Sequence, residues 1–230
     1  MSDAEFIIDN LDLLPQIVNS GQQKQEEFAE NIMRFMELEH LYQSAIDVVT
    51  TYLNILASEF NVKFQRNPIH NIESRLKSAE SIVGKLNKKG LPISYESARN
   101  NLLDLAGIRI TCYYITDIYV IVDMLSRRDD FILIKKKDYI QNPKPSGYRS
   151  YHLIINVPVY LAAKKEYAPV EIQIRTIAMD FWASLEHQLK YKTSAKIPDE
   201  ISQELRDCAE RIAETDFQMQ RIFLQMEDME

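Results

Sequence analysis

The sequence predicts an α/β (α+β) protein in which a small mixed β-sheet is flanked by helices. Three observations predict it. Two long stretches, about 24–60 and 199–228, carry apolar residues at helical spacing. The centre holds β-branched and aromatic runs such as GIRITCYYI at 107–115, which suit pleated strands. The segment Pro169-Val-Glu-Ile-Gln-Ile-Arg175 alternates strictly between apolar and polar, the period of a strand with two unlike faces.

Taken in order, the first helix over 24–60 rests on Phe28, Ile32, Phe35, Leu38, Tyr42 and Ala45. Asn67-Pro68 reads as an N-cap followed by proline at the first helical position. The helix it opens is expected to run to Lys89 and stop at Gly90, with a stripe of Ile69, Ile72, Leu76, Ala79, Val83 and Leu86. Ser94 caps a short helix ending near Asp104. A strand at 107–115, a helix at 117–128 and a strand at 131–137 follow. A polar loop from Asp138 to Gly147 leads to strands at 149–159 and 168–175, then a helix at 177–192 and the last helix. In the last helix, Ile201, Leu205, Cys208, Ile212, Thr215, Met219, Ile222 and Met226 form a heptad seam suited to a partner helix. The expected organisation is an N-terminal helical arm (1–60), a core (61–192) and a C-terminal oligomerisation helix (193–230).

The net charge of −7 is segregated. Residues 1–60 carry −9 and residues 199–230 carry −7, so the middle carries +9. Solvated helices explain the acidic ends. The basic centre points to an anionic ligand. Five scattered glycines exclude both a Walker A loop and a dinucleotide-binding turn, so phosphates would be held by Arg and Lys side chains. Two cysteines, Cys112 and Cys208, lack nearby Cys or His partners, which excludes a disulfide framework and a zinc knuckle. No apolar run is long enough to span a membrane, and the first thirty residues lack the basic start and apolar run of a secretory signal. The expectation is a cytoplasmic protein.

Glu171, Gln173 and Arg175 share one face of the alternating strand. An acid, an amide and a guanidinium in a row suit the floor of a polar cleft, although a half-exposed strand has the same period. Asp104 stands at the end of a short helix, where the dipole disfavours an acid. Either a metal ion shared with Glu171 compensates it or a neighbouring arginine does. The stretch from Lys135 to His152 holds five bases, one acid, Tyr139, Tyr148 and Tyr151. Its bases suit phosphates, and Gly147 permits a turn that presents Tyr148 for base stacking. Arg75, Ser78, Lys85 and Lys89 line one flank of the predicted helix, a solvated basic face on the plainer reading. Lys77 fits that row poorly.

With these motifs in hand, the chain closely resembles the small alarmone synthetases, single-domain members of the RelA/SpoT-homologue family. The resemblance spans about Asn67 to Lys192. It rests on DLAGIR at 104–109, KDYI and PKPSGYRSYH within 137–152, VEIQIRT at 170–176 and WASLEHQLKYK at 182–192. It implies a nucleotidyltransferase-like fold. It implies transfer of the β,γ-pyrophosphate of ATP to the ribose 3′-hydroxyl of GDP or GTP, giving AMP and ppGpp or pppGpp, with Mg²⁺. The absence of a His-Asp dipeptide implies synthesis only. Residue by residue, Arg75 and Arg109 resemble the pair that sandwiches adenine. Lys77 and Lys85 resemble phosphate-contacting bases, Asp104 the principal Mg²⁺ ligand and Glu171 the second carboxylate, which orients or deprotonates the hydroxyl. Tyr148 resembles the aromatic that stacks on guanine. Lys144, His152, Gln173 and Arg175 fall in acceptor-side positions, and Ser146 stands where relatives often have Asn. The resemblance also implies a homotetramer. A non-catalytic nucleotide- or RNA-binding oligomeric module is the alternative: it would keep the basic loop and Tyr148 but has no need of Asp104 and Glu171 together.

Overall fold

The computed structural model describes residues 22–192 and 198–229. The expected arm therefore lies outside the described residues up to position 21, as does the connection at 193–197. Helix α1 (Gln22–Phe64) is followed by β1 (Ile69–Leu76), α2 (Ala79–Lys88), α3 (Tyr95–Asn101) and β2 (Ala106–Cys112). Then come α4 (Ile115–Ser126), β3 (Ile132–Asp138), β4 (Tyr151–Tyr160), β5 (Lys165–Thr176), α5 (Ile177–Lys192) and α6 (Asp199–Glu227). The five strands form one mixed sheet in the order β1-β2-β5-β4-β3. Only β2 and β5 run parallel.

One expectation is corrected. The helix predicted from Pro68 to Lys89 is a strand, β1, followed by the shorter helix α2. Asn67 does not cap a helix: its Oδ1 accepts from Ile69 N at 2.9 Å, a turn two residues long. The misleading spacing has a physical cause. The register between β1 and β2 shifts between Ile69 and Asn71, and this bulge adds one residue. Ile69 and Ile72 therefore fall three apart, and Ile72 and Leu76 four apart, which imitates helical period in a strand. The helix begins only after Ser78, whose Oγ accepts from Ser81 N at 3.3 Å, and buries Ile82 rather than Val83. His70, within that predicted helix, lies on β1.

The core lies between one sheet face and the helices. Leu38, Tyr42, Ile46, Val49 and Leu53 of α1 share one apolar cluster with Val170, Ile172 and Ile174 of β5. Each such fully buried side chain contributes roughly 1.5–3 kcal/mol. Helix α4 adds Ile118, Ile121 and Leu125. Helix α6 packs on the body through Ala209, Ala213, Asp216 and Gln220. That face is displaced from the expected apolar seam, of which Ile201, Met219, Ile222 and Met226 stay exposed and Leu205 and Ile212 are half-buried. Trp182 Nε1 of α5 donates to Leu205 O at 3.0 Å, and Gln220 Oε1 accepts from Thr116 N at 2.9 Å, capping α4.

Candidate active site

The sheet register gathers the polar residues onto one face. On β5, Val170, Ile172 and Ile174 are fully buried toward the core while Glu171, Gln173 and Arg175 point to the opposite side. Gly107 and Arg109 of β2 stand beside Glu171 and Gln173. Arg75 and Glu73 of β1 stand opposite Gly107 and Arg109. His152 of β4 faces Gln173 from the other side, and Lys137 of β3 faces His152. All five strands of the sheet thus supply one polar row, as a cleft floor requires.

Arg75 lies across Gly107: a Cβ built there would meet the Arg75 side chain at 3.5 Å. Its diagonal neighbour on β2 is Arg109, and diagonal cross-strand positions are about 7–8 Å apart. Arg109 Nη1 donates to Glu73 Oε2 at 3.1 Å.

Asp104 sits in the connection between α3 and β2. Its Oδ2 accepts from Lys77 Nζ at 2.7 Å and from Lys85 Nζ as well. Two lysines, rather than the neighbouring arginine the sequence offered, pair with the acid. Lys77, which fitted the imagined helix row poorly, is brought in because it follows a strand and its amide donates to Leu105 O at 2.8 Å. Burial pushes Asp104 up, but hydrogen bonds and charge from Lys77 and Lys85 outweigh it and hold the carboxyl below its usual range. Burial, with Lys85 adding to it and Asp104 opposing, lowers Lys77.

A chain of polar contacts ends on Glu171. Arg175, only 5% exposed, donates from Nη2 to Tyr148 Oη at 2.7 Å and to Gln173 Oε1 at 2.8 Å. Guanidinium can only donate, so the tyrosine oxygen accepts from it; the same hydroxyl lies 2.9 Å from His152 Nε2, a hydrogen bond whose direction follows the imidazole tautomer. When the hydroxyl donates, the imidazole proton sits on Nδ1, which faces Glu171 Oε1 at 3.6 Å. The His152 ring holds Glu171 below the usual carboxylate range, against burial and the charge of Asp104. The ring of Tyr148 lies under Lys144 Nζ at 4.4 Å and beside Arg175 Cζ at 5.1 Å. Gly147 makes the turn with φ +88°.

All eleven residues singled out from the sequence thus lie on this face or at its rim. The sequence did not reveal Asp180, whose Oδ1 accepts from Arg175 Nη1 at 3.1 Å, nor Glu73. Asp180 reads in sequence as an ordinary acid in a first helical turn. The two carboxylates Asp104 and Glu171 are hard oxygen donors, and the described residues hold no cluster of three or more His, Cys, Asp or Glu fit for a metal. Such a pair suits a cation that completes its shell with phosphate oxygens and water, as Mg²⁺ does. A cavity of ≈700 Å³ lies between α1 and the corner joining β1 to α2, and Lys77 lines it.

Residues 74–196 match the region found in RelA/SpoT proteins. The GTP pyrophosphokinase YwaC of Bacillus subtilis is 48% identical over 170 residues, covering 74% of this chain and 81% of that protein. The crystal structure of small alarmone synthetase 2 from Bacillus subtilis superposes with a TM-score of 0.73 at 45% identity, covering 80% and 96% of the two chains. Small alarmone synthetase 1 from the same organism, bound to its product pppGpp, superposes with a TM-score of 0.75 at 34% identity, covering 83% and 97%.

Proposed function

The chain belongs to the RelA/SpoT family, and from that premise we propose that it is a GTP pyrophosphokinase of the small alarmone synthetase type. It moves the β,γ-pyrophosphate of ATP to the 3′-hydroxyl of GDP or GTP and releases AMP. The observation that carries this reading is the register that brings Glu171, Gln173 and Arg175 into one row with Arg109, Arg75 and His152, beside Asp104.

Arg75 and Arg109 hold the adenine between their planes. Lys77 and Lys85, poised on Asp104, turn to the ATP phosphates as these arrive. The guanine stacks on Tyr148, with Lys144 at the rim and Gln173 and Arg175 fixing the acceptor. Glu171, kept ionised by His152, takes the proton from the 3′-hydroxyl as the oxygen attacks the β-phosphorus. The new O–Pβ bond forms as the bond from Pβ to the oxygen of the α-phosphate breaks. General-base help of this kind typically contributes ~10²–10⁴ in rate. Mg²⁺, held by Asp104 and Glu171, would offset the charge gathered on the triphosphate. Catalysis otherwise consists of aligning two polyanions.

The exposed apolar residues of α5 and α6 support assembly into a homo-oligomer, which we take to be a tetramer. Both cysteines are free thiols, which accords with a cytoplasmic setting. No described helix is long and apolar enough to cross a membrane.

The test is an incubation of labelled ATP with GDP or GTP and Mg²⁺, resolved by chromatography. Label should appear in a pentaphosphate or tetraphosphate of guanosine together with AMP. Asp104→Asn and Glu171→Gln should each lower the rate by at least ~10²-fold with the fold intact. Binding of both nucleotides without any transfer by the wild type would favour the non-catalytic module instead.

A further inference from the structure

Asp180 stands in the first turn of α5, directly after β5. One of its oxygens, Oδ1, serves two guanidinium groups. It accepts from Arg175 Nη1 at 3.1 Å and lies 3.8 Å from Arg109 Nε. The second separation is too long for a hydrogen bond. Arg109 Nε is buried and without a hydrogen-bond partner, and so is Arg175 Nε. A buried donor left unpaired is costly, so a movement of under ~1 Å by Asp180 toward Arg109 would be rewarded. What holds Asp180 back is Arg175, which is itself tied to Tyr148 and Gln173. As placed, the one oxygen that faces both arginines satisfies Arg175 and stops short of Arg109. Glu73 does not relieve the conflict, because it engages Nη1 of Arg109 and leaves Nε to Asp180.

We propose that Asp180 is a positioning residue that couples the two nucleotide sites. The inference rests on the reading above, in which Arg109 serves ATP and Arg175 with Tyr148 serves the guanine nucleotide. When the acceptor engages Tyr148 and Arg175, the hold of Arg175 on Asp180 loosens. Asp180 then closes on Arg109 Nε and fixes that guanidinium against the adenine. Acceptor binding therefore tightens ATP binding, and by linkage ATP tightens acceptor binding by the same factor.

Calorimetry with α,β-methylene-ATP, whose bridging carbon blocks transfer, measures this directly in the presence of Mg²⁺. In the wild-type protein, saturating GDP should lower the Kd of the analogue by about fivefold or more, within the range usual for coupled sites. In Asp180→Ala both nucleotides should still bind and the ratio should fall to about 1; Asp180→Glu should restore part of it. A ratio of 1 in the wild type, or an unchanged ratio in Asp180→Ala, overturns the coupling while leaving the enzyme assignment standing. Wild-type protein that binds neither nucleotide overturns the functional reading itself. Should Asp180→Ala lose its cooperative thermal melt, Asp180→Asn keeps the shape, removes the charge and is judged by the same two ratios.

Discussion

Tyr148 carries two loads at once. Its ring offers a stacking face, and its hydroxyl joins Arg175 to His152 and thereby to Glu171. From the sequence only the first is legible, because a loop tyrosine after Gly147 announces a face and says nothing of a hydroxyl partner four residues on and another on β5. The structure therefore changes what the mildest substitution should do. Tyr148→Phe keeps stacking but leaves Arg175 Nη2 and His152 Nε2 short of a partner, a loss worth about 1–3 kcal/mol. It should lower kcat by about five- to a hundredfold with little change in the KM for GDP, whereas Tyr148→Ala should raise that KM. Steady-state kinetics of both variants decide it, and a Tyr148→Phe enzyme with wild-type kcat would remove the hydroxyl from the mechanism. Acidity separates other residues. Asp104 and Glu171 have lowered pKa values, so their contribution to stability is present above about pH 4 and is lost as the pH falls through their folded values. Asp117 behaves oppositely. Burial, with the Arg66 charge opposing, pushes it up to about 6, above its unfolded value near ~3.9. The folded state then binds the extra proton between about pH 4 and 6, and this group adds stability as the pH falls across that window. Wild-type protein should gain in melting temperature over Asp117→Asn as the pH is lowered from 7 to 4; a difference that stays flat would mean Asp117 titrates normally.

At the scale of elements, alternation and capping are what the sequence transmits well. β5 is legible because it is central, with one face wholly apolar. β1 is not, because it pairs on one side only and its bulge shifts the parity of its apolar residues. Losing β1 also hid why Lys77 reaches Asp104. Helix α6 is legible as a helix but not in its orientation, since the face that packs inward is made of small and polar residues that carry little hydropathy. Its inward choice has a steric reason. A Cβ built on Gly147 would come within 2.5 Å of the Ala209 Cβ, so the Tyr148 loop and α6 meet backbone to small side chain. Arg149 Nη1 reaches Ala209 O at 3.5 Å, and Thr176 Oγ1 donates to the buried Asp216 at 2.6 Å. The C-terminal helix is therefore a brace for the Tyr148 loop. Ala209→Leu should push that loop away and raise the KM for GDP by about tenfold while the KM for ATP stays within about twofold. Equal rises in both would show that α6 merely supports the fold.

Across the whole molecule, charge and apolar surface divide the labour. The basic centre opens on the polar face of the sheet, and the acidic ends are carried by α1 and α6. The described surface still exposes one apolar tract that a single chain does not cover. On α5, Ile177, Phe181 and Leu185 are four residues apart and each about half exposed, and Met219 of α6 lies beside them. Tyr113, Ile177, Phe181 and Met219 border one groove of ≈560 Å³ between the two helices, floored by Ile212. Apolar patches of this continuity are uncommon on monomers and mark interfaces. The proposed assembly is thus expected to use the α5–α6 groove rather than the whole heptad seam, whose Leu205 and Ile212 are already engaged with Trp182 and Ala209. Glutamate at Leu205 or Ile212 would damage the brace as well as any assembly, and so would test neither cleanly. Phe181→Glu with Met219→Glu places two charges in the groove while leaving every side chain of that cluster in place. In light scattering at micromolar concentration the wild type should have the mass of an oligomer, with a tetramer expected, and the double variant a smaller mass with an unchanged circular dichroism spectrum. A wild type that runs as a monomer, or a double variant that keeps the wild-type mass, would mean that this groove is not where the subunits meet.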